Sequence, residues 1–361
     1  MLHKKLSIRE RDLISQSLNS DNMSTMANLV KRALVFTFIV ELIGMIIFSI
    51  SFIPEYGIKD GLFKSIFTSI SAFCNSGFDI VGIQNHSIFQ TLPLINIPIM
   101  ILAILGGIGF IVFDDIYSKI KRGVERKHSI SKIVSTFAIH TKLVIILTVI
   151  LLVVGFGFVL LTEYTNQDTI GNMELQDKIM TSAFYSATTR SVGYSTLDIA
   201  MFTHVCKIGI ILLMLIGGAP GGSAGGIKVT TIALIFLSII AFIKGKKRVV
   251  IFSREISMQT VLKAYIVLML YVIVIIVSVT MLTVTDNNEV LDLTLESVSA
   301  IGNVGLTTGL VSEFSDAGKI NIMILMYLGR VGTISMALAF VLTRPKISEN
   351  IRYPEGKIIV G

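Results

Sequence analysis

Tryptophan is missing from the 361 residues, cysteine occurs only as Cys74 and Cys206, and Asp, Glu, Lys and Arg together make up just 15% of the chain. Two cysteines supply no disulfide framework, so both read as packing residues. Without tryptophan there is no strong aromatic belt. A soluble chain carries about a quarter charged residues. The scarcity of charge, set against 53% apolar residues and a mean hydropathy of +0.79, makes lipid much of the solvent. A cleavable secretory signal is not evident either. Met1 to Arg32 holds Lys4, Lys5, Arg9, Arg11, Lys31 and Arg32 and lacks an apolar run long enough for the core of one.

What is present is a series of apolar runs. Residues 33–53, with Glu41 their only charge, match the roughly 20 residues that cross about 30 Å of hydrocarbon. Comparable runs occupy about 91–113, 143–162, 205–243, 264–284 and 320–343, which makes six candidate spans. The net charge of +7 in a soluble chain would raise nucleic-acid binding. Here 23 of the 31 Lys and Arg fall in residues 1–32, 119–142, 244–263 and 344–361. The loops near 54–64, 163–178, 285–296 and 311–319 carry mainly acids beside Lys59, Lys64, Lys178 and Lys319. Short Lys/Arg-rich loops stay in the cytoplasm, so both termini are expected there, and nucleic acid is not an expected partner.

After each outer loop comes an amphipathic stretch too short to span, ending in a glycine turn: 61–80, 175–196 and 291–309. Gly77, Gly193 and Gly305 are 116 and 112 residues apart, so the chain is an internal threefold repeat. The expected fold is an all-α polytopic membrane protein of three tandem units, each a span, a short pore helix, a glycine turn and a second span. Residues 1–32 read as a polar cytoplasmic segment, 33–118, 119–245 and 246–343 as the three units, and 344–361 as a cytoplasmic tail.

Non-helical backbone at membrane depth must be packed in protein or line a watery path. A short helix that returns through a glycine turn aims carbonyls at an axis, as in a potassium filter. Glycine suits such a turn because the backbone visits positive φ. Ser191, Val192, Gly193 and Tyr194 nearly repeat the potassium-channel filter string, and Asn75, Ser76 and Gly77 and Asn303, Val304 and Gly305 keep the glycine. These are the candidate ion ligands, with K+ at the filter glycines.

The run 205–243 is 39 residues, about 58 Å as one helix and nearly twice the membrane. Its middle, Gly217, Gly218, Ala219, Pro220, Gly221, Gly222, Ser223, Ala224, Gly225 and Gly226, cannot continue a helix. A break there, below the filter, is placed to gate; a passive packing kink is the plainer alternative. Gly221 to Gly225 satisfies G-x-S-x-G, but a nucleophile elbow needs a strand, a turn, a helix and acid and histidine partners that the flanks do not supply. The Lys228 position misses the Gly-Lys-Ser/Thr order of a phosphate loop. Lys228 instead reads as facing the cavity beneath the filter.

Arg330 lies about ten residues into the last run, an expensive position for a charge. It reads either as a gate charge beside the cation path or as a structural partner of Glu41 or a helix-end carbonyl. Asp114 and Asp115 read as a solvated helix end or a cation-concentrating mouth, and Arg190 as a brace for its pore helix.

The segments SISAFCNSGFDIVG, SATTRSVGYST, IGGAPGGSAGGIKVTT, SAIGNVGLTTG, LGRVGTISMALAF and the terminal IRYPEGKIIVG are similar to those of the Trk/Ktr/HKT superfamily of cation transporters, closest to the membrane subunit of bacterial Ktr potassium uptake systems. The resemblance covers Ile8 to the last residue. It implies a pseudo-fourfold, potassium-channel-like pore for K+ uptake, an intramembrane gating loop at 217–226 and a gating Arg330. It further implies a homodimer in the cell membrane and a cytosolic KtrA/TrkA-like ring. ATP, ADP or another nucleotide binds only that partner, no cofactor is held covalently, and sodium coupling stays open. Transport makes no bonds, so no catalytic residues are expected. The family has four repeats and this chain three, corresponding to its second, third and fourth. The expectation is an N-terminally truncated product, and the alternative function is a non-conducting fragment acting only as an assembly partner.

Overall fold

A computed structural model describes residues 23–82, 91–246 and 248–332, with side chains from Leu29 onward. The first helix, α1 (Met23–Phe73), is 51 residues long and is broken by Gly57 at φ 79°, ψ 170°. A straight helix of that length would be about 77 Å. Past Gly57 the chain doubles back, because a Cβ built on Gly61 would lie 2.6 Å from the Phe52 carbonyl oxygen. The limb before Gly57 is long and apolar enough to cross a membrane, and the limb after it is the short helix expected as the first pore helix.

The next span differs from its expectation. The apolar run 91–113 divides into α2 (Pro93–Ile108) and α3 (Phe110–Glu125), which meet at 90°. Gly109 sits between them at φ 94°, ψ 139°. The Phe110 amide leaves the helical ladder and donates to the Gly221 carbonyl at 3.1 Å, so the glycine-rich loop supplies the bond that continuing the helix would have made. A short α4 (Ile130–Ser135) leads into α5 (Ile139–Glu163), a full-length span, and then the second pore helix α6 (Leu175–Thr188). The run 205–243 separates into α7 (His204–Leu215) and α8 (Val229–Ile243). A two-stranded hairpin follows, β1 (Val249–Ile251) against β2 (Arg254–Ile256), with Val249 opposite Ile256. Its turn residues Phe252 and Ser253 both have positive φ, the geometry that suits strand twist. The third unit comprises the span α9 (Met258–Thr285), the pore helix α10 (Val290–Gly302) and α11 (Asp316–Val331).

α11 ends at Val331 with Gly332 at φ 85°, ψ 132°, close to the conformation of Gly109, and residues 333–343 of the last apolar run lie outside the described residues. Arg330 stands in the last turn of α11, where a cation faces free carbonyls. The three second helices α2, α7 and α11 have 16, 12 and 16 residues, roughly 24 Å or less and below the hydrocarbon thickness. Residues 1–22 of the polar segment and the whole 344–361 tail lie outside the described residues.

Each pore helix leans on its span through small residues, the way helices approach closely in lipid. Ser69 donates to the Glu41 carbonyl at 2.6 Å beside Gly44. Ser186 donates to the Leu152 carbonyl at 2.6 Å beside Gly155. In the third unit Ser297 meets Ser278 at 3.2 Å, and Asn321 of α11 donates to the same serine at 2.9 Å. The internal repeat is thus carried by a serine seven or eight residues before each filter glycine. The helices ahead of the second and third glycine turns are the most buried among the described helices, with Leu293 and every residue from Leu295 to Gly302 buried in α10.

Candidate functional site

The three glycine turns share one backbone. Asn75, Ser191 and Asn303 have φ of 51°, 69° and 50°, and two residues later Gly77, Gly193 and Gly305 have φ of 67°, 83° and 92°. Positive φ at alternate residues is costly for a side chain with a Cβ, which accounts for Asn, Ser and Gly at these places. The turns also lie against one another. A Cβ built on Gly77 would collide with the Val192 carbonyl oxygen, and one on Gly193 with the Val304 carbonyl oxygen. The same Gly193 Cβ would lie 3.3 Å from the Gly77 Cα and 3.3 Å from the Gly305 Cα. The order around the site is Gly77, Gly193, Gly305, with the second unit in the middle.

Side chains fix the turns to their neighbours. Tyr194 is buried and donates its hydroxyl to the Phe78 carbonyl at 3.1 Å, tying the second turn to the first. Ser191 donates to the Gly302 carbonyl at 2.9 Å, tying it to the third. Tyr185, fully buried, meets Ser195 at 2.7 Å and accepts from the Leu197 amide at 2.8 Å, which anchors the chain leaving the second turn.

Residues 217–226 form a closed loop directly beneath. The Gly217 amide donates to Ile227 and the Val229 amide to Gly218, so α7 and α8 are stitched together across the break. Toward the first unit, Ala219 and Ser223 amides donate to the Gly107 and Gly106 carbonyls at 2.8 and 3.1 Å, and the Ser223 hydroxyl donates to the Phe73 carbonyl at 3.2 Å. Phe73 ends the first pore helix. Gly225 approaches the end of the third, since a Cβ there would lie 2.6 Å from the Gly302 carbonyl oxygen. The Lys228 ammonium donates to the Ala224 carbonyl at 2.7 Å, inside the loop.

The two arginines grip this loop from different units. Arg190, buried, donates to the Gly217 carbonyl at 3.3 Å, so it braces the loop and not its own pore helix. Arg330 donates to the Ser223 carbonyl. The helix-end-carbonyl alternative thus holds in a modified form, with a loop carbonyl as acceptor; among the described ion pairs Arg330 has no Glu41 bridge. Asp114 pairs with Arg32 at 2.7 Å, and Asp115 accepts from the Ala138 amide and the Thr141 hydroxyl at 2.9 and 2.7 Å, which anchors this helix to its neighbours. Cys206 is packed in the core and Cys74 is half-buried beside Glu41. Ser223, the would-be nucleophile, sits in an irregular loop with no histidine among its hydrogen-bond partners.

Sequence reasoning missed several residues. Lys207 and Asp292 form a buried ion pair at 2.8 Å between α7 and α10, separated by 85 residues. Glu163, fully buried, accepts from Asn166, Thr169 and both the amide and hydroxyl of Thr203, tying the outer loops together. Glu296 of α10 accepts from Thr307 and Thr308 just past the third glycine turn. An acid nine residues before a filter glycine in one repeat alone was the readable signal for the last.

Residues 3–350 match the family model described as TrkH, cation transport protein. Over its whole length the chain is 35% identical to the Ktr system potassium uptake protein B of Bacillus subtilis, of which it spans 78%. It is 34% identical, over 99% of its length, to the potassium/sodium uptake protein NtpJ of Enterococcus hirae, of which it spans 77%. The crystal structure of the potassium transporter TrkH from Vibrio parahaemolyticus superposes with a TM-score of 0.65 over 87% of this chain and 64% of that one. At 17% identity that likeness shows the fold, an all-α polytopic membrane protein.

Proposed function

Since the chain belongs to the TrkH family of cation transport proteins, membrane transporters and not enzymes, we propose that it is the membrane subunit of a Ktr/Trk-type system that takes up potassium through a filter at Gly77, Gly193 and Gly305. The observation that carries this reading is the contact of three turns with one repeated positive-φ backbone. Carbonyls presented by such turns replace an ion's hydration shell. Each of the units 33–118, 119–245 and 246–343 supplies one turn. Gly305 itself is exposed.

The loop 217–226 is the gate. It lies below the filter, it is held by backbone bonds to the first unit and within the second, and two cations, Arg190 of the second unit and Arg330 of the third, grip it. Withdrawing Arg330 from the Ser223 carbonyl frees the loop, while the positive charges of Arg330 and Lys228 disfavour a cation beneath the filter. The names of the relatives support K+ as substrate, and one of them names sodium beside potassium. The same reading places the chain as a homodimer in the cell membrane, both termini cytoplasmic, with the basic segments near 119–142 and 244–263 facing a nucleotide-binding regulatory ring.

Rubidium uptake into vesicles carrying the purified chain, driven by an inward-negative potential, tests this. Uptake above that of protein-free vesicles, and faster for rubidium than for sodium, supports it. Uptake indistinguishable from empty vesicles refutes conduction by the chain and favours the assembly-partner reading.

A further inference from the structure

The chain just outside each filter glycine is fastened by a different device. In the first unit, Asp79 accepts from the Val81 and Gly82 amides at 2.8 and 3.0 Å, within its own turn. In the second, the Tyr185 hydroxyl does the work, donating to the Leu197 carbonyl and accepting from the Leu197 amide. In the third, a single carboxylate oxygen of Glu296 accepts three bonds: from the Thr307 hydroxyl at 2.7 Å, the Thr308 amide at 2.7 Å and the Thr308 hydroxyl at 2.9 Å.

Glu296 is only 3% exposed and sits on the pore helix behind the filter. Counting nine residues back from each glycine gives Thr68, Phe184 and Glu296, so a buried acid occurs at this place in one unit alone. No cation bonds it among the described ion pairs. A buried acid without a cation is expensive unless its hydrogen bonds are met, and here they are met by the backbone and side chains that follow Gly305. The Ser299 hydroxyl adds a second hold from the same helix, accepting from the Gly305 amide at 3.2 Å. Both threonine hydroxyls are thereby turned back toward the helix.

We infer that Glu296 is a positioning residue that sets the spacing of the third filter turn, and through it the preference among monovalent cations. This rests on the reading of 303–305 as filter. Carbonyl spacing and rigidity are what separate ions of different radius in such a site. A three-bond carboxylate clamp is stiffer than the neutral tyrosine tie of the second unit, because hydrogen bonds to a charged acceptor are shorter and stronger. Before its glycine the third turn is held by Asn303, whose side-chain amide donates to the Met326 carbonyl at 3.1 Å, and after the glycine the Glu296 clamp fastens the chain.

The test is the ratio of rubidium to sodium uptake in vesicles for Glu296→Ala, Glu296→Gln and the isosteric double variant Thr307→Val/Thr308→Val. Loss of the clamp lowers the ratio about tenfold in Glu296→Ala, the equivalent of one charge-assisted hydrogen bond. Glu296→Gln retains an acceptor oxygen and restores part of the ratio. The threonine variant lowers the ratio without touching the acid, which keeps the test decisive if Glu296→Ala does not fold. A merely structural role would lower uptake of both ions together and leave the ratio at the wild-type value in every folded variant; that result overturns the inference. Thermal unfolding in rubidium against sodium, on the same proteins, separates this from the transport reading. Rubidium-specific protection that Glu296→Ala lacks sustains the clamp even if the wild-type chain passes no ions. No rubidium-specific protection and no uptake in the wild type defeats both.

Discussion

Replacing Arg330 with glutamine removes the guanidinium that holds the Ser223 carbonyl and leaves a shorter side chain unable to span the same gap. A hydrogen bond from a charged donor contributes about 1.5–3 kcal/mol when well shielded. Arg330 is itself exposed, so solvent screening brings the figure below that range, to about 1–1.5 kcal/mol. The loop keeps its backbone bonds to Gly106 and Gly107 and the grip of Arg190, so the variant weakens the closed arrangement without dismantling it. A shift of that size moves a closed-to-open equilibrium by roughly five- to tenfold. If the loop is mostly closed in the wild type, initial rubidium uptake into vesicles rises by the same factor, and the rubidium-to-sodium ratio stays where it was because the filter is untouched. Arg330→Lys, which keeps charge but not the planar fork, falls between the two. Unchanged or reduced uptake in a folded Arg330→Gln protein refutes the gating role of this contact.

The buried pair of Lys207 and Asp292 joins the second unit to the third pore helix. Lys207→Met leaves an acid without its partner and costs about 3–5 kcal/mol, read as a lower midpoint of thermal unfolding in detergent; adding Asp292→Leu recovers most of the loss. An unaltered midpoint in the single variant contradicts the pairing. Gly329→Ala directs a Cβ into the Ile301 carbonyl oxygen and Gly106→Ala into that of Phe73, both backbone atoms that cannot move aside. Each is expected to lower the yield of monodisperse protein, whereas Gly157→Ala, with nothing within 4 Å, leaves it unchanged or improved.

The three glycine turns were legible because glycine leaves a mark at a fixed interval. Gly77, Gly193 and Gly305 each follow a short helix bounded by apolar runs, and the conformation they share is one that sequence can specify directly. The break between Leu215 and Val229 was equally readable, since six glycines and Pro220 admit no helix. The bend at Gly109 was hidden. Its flanks are apolar on both sides, hydropathy carries no record of φ, and the bond that makes the bend comes from Gly221, more than a hundred residues away. The partner of Arg330 was hidden for the same reason, because the Ser223 carbonyl it meets lies more than a hundred residues away. The role of Glu296 was invisible as a single position and becomes apparent only when the three pore helices are aligned on their glycines, for Thr68 and Phe184 occupy its place elsewhere.

The central claim is that ions pass between the glycine turns, and the second unit lies in the middle of the described arrangement. Gly193→Ser places a side chain at φ 83° against the Val304 carbonyl oxygen. The most direct measurement is rubidium and sodium uptake by wild-type and Gly193→Ser proteins in matched vesicles, with folding checked by their thermal midpoints. Loss of the rubidium preference, with uptake falling toward that of empty vesicles in a folded variant, is the predicted result. A Gly193→Ser protein that carries rubidium at the wild-type rate and with the wild-type preference would place the ion path elsewhere.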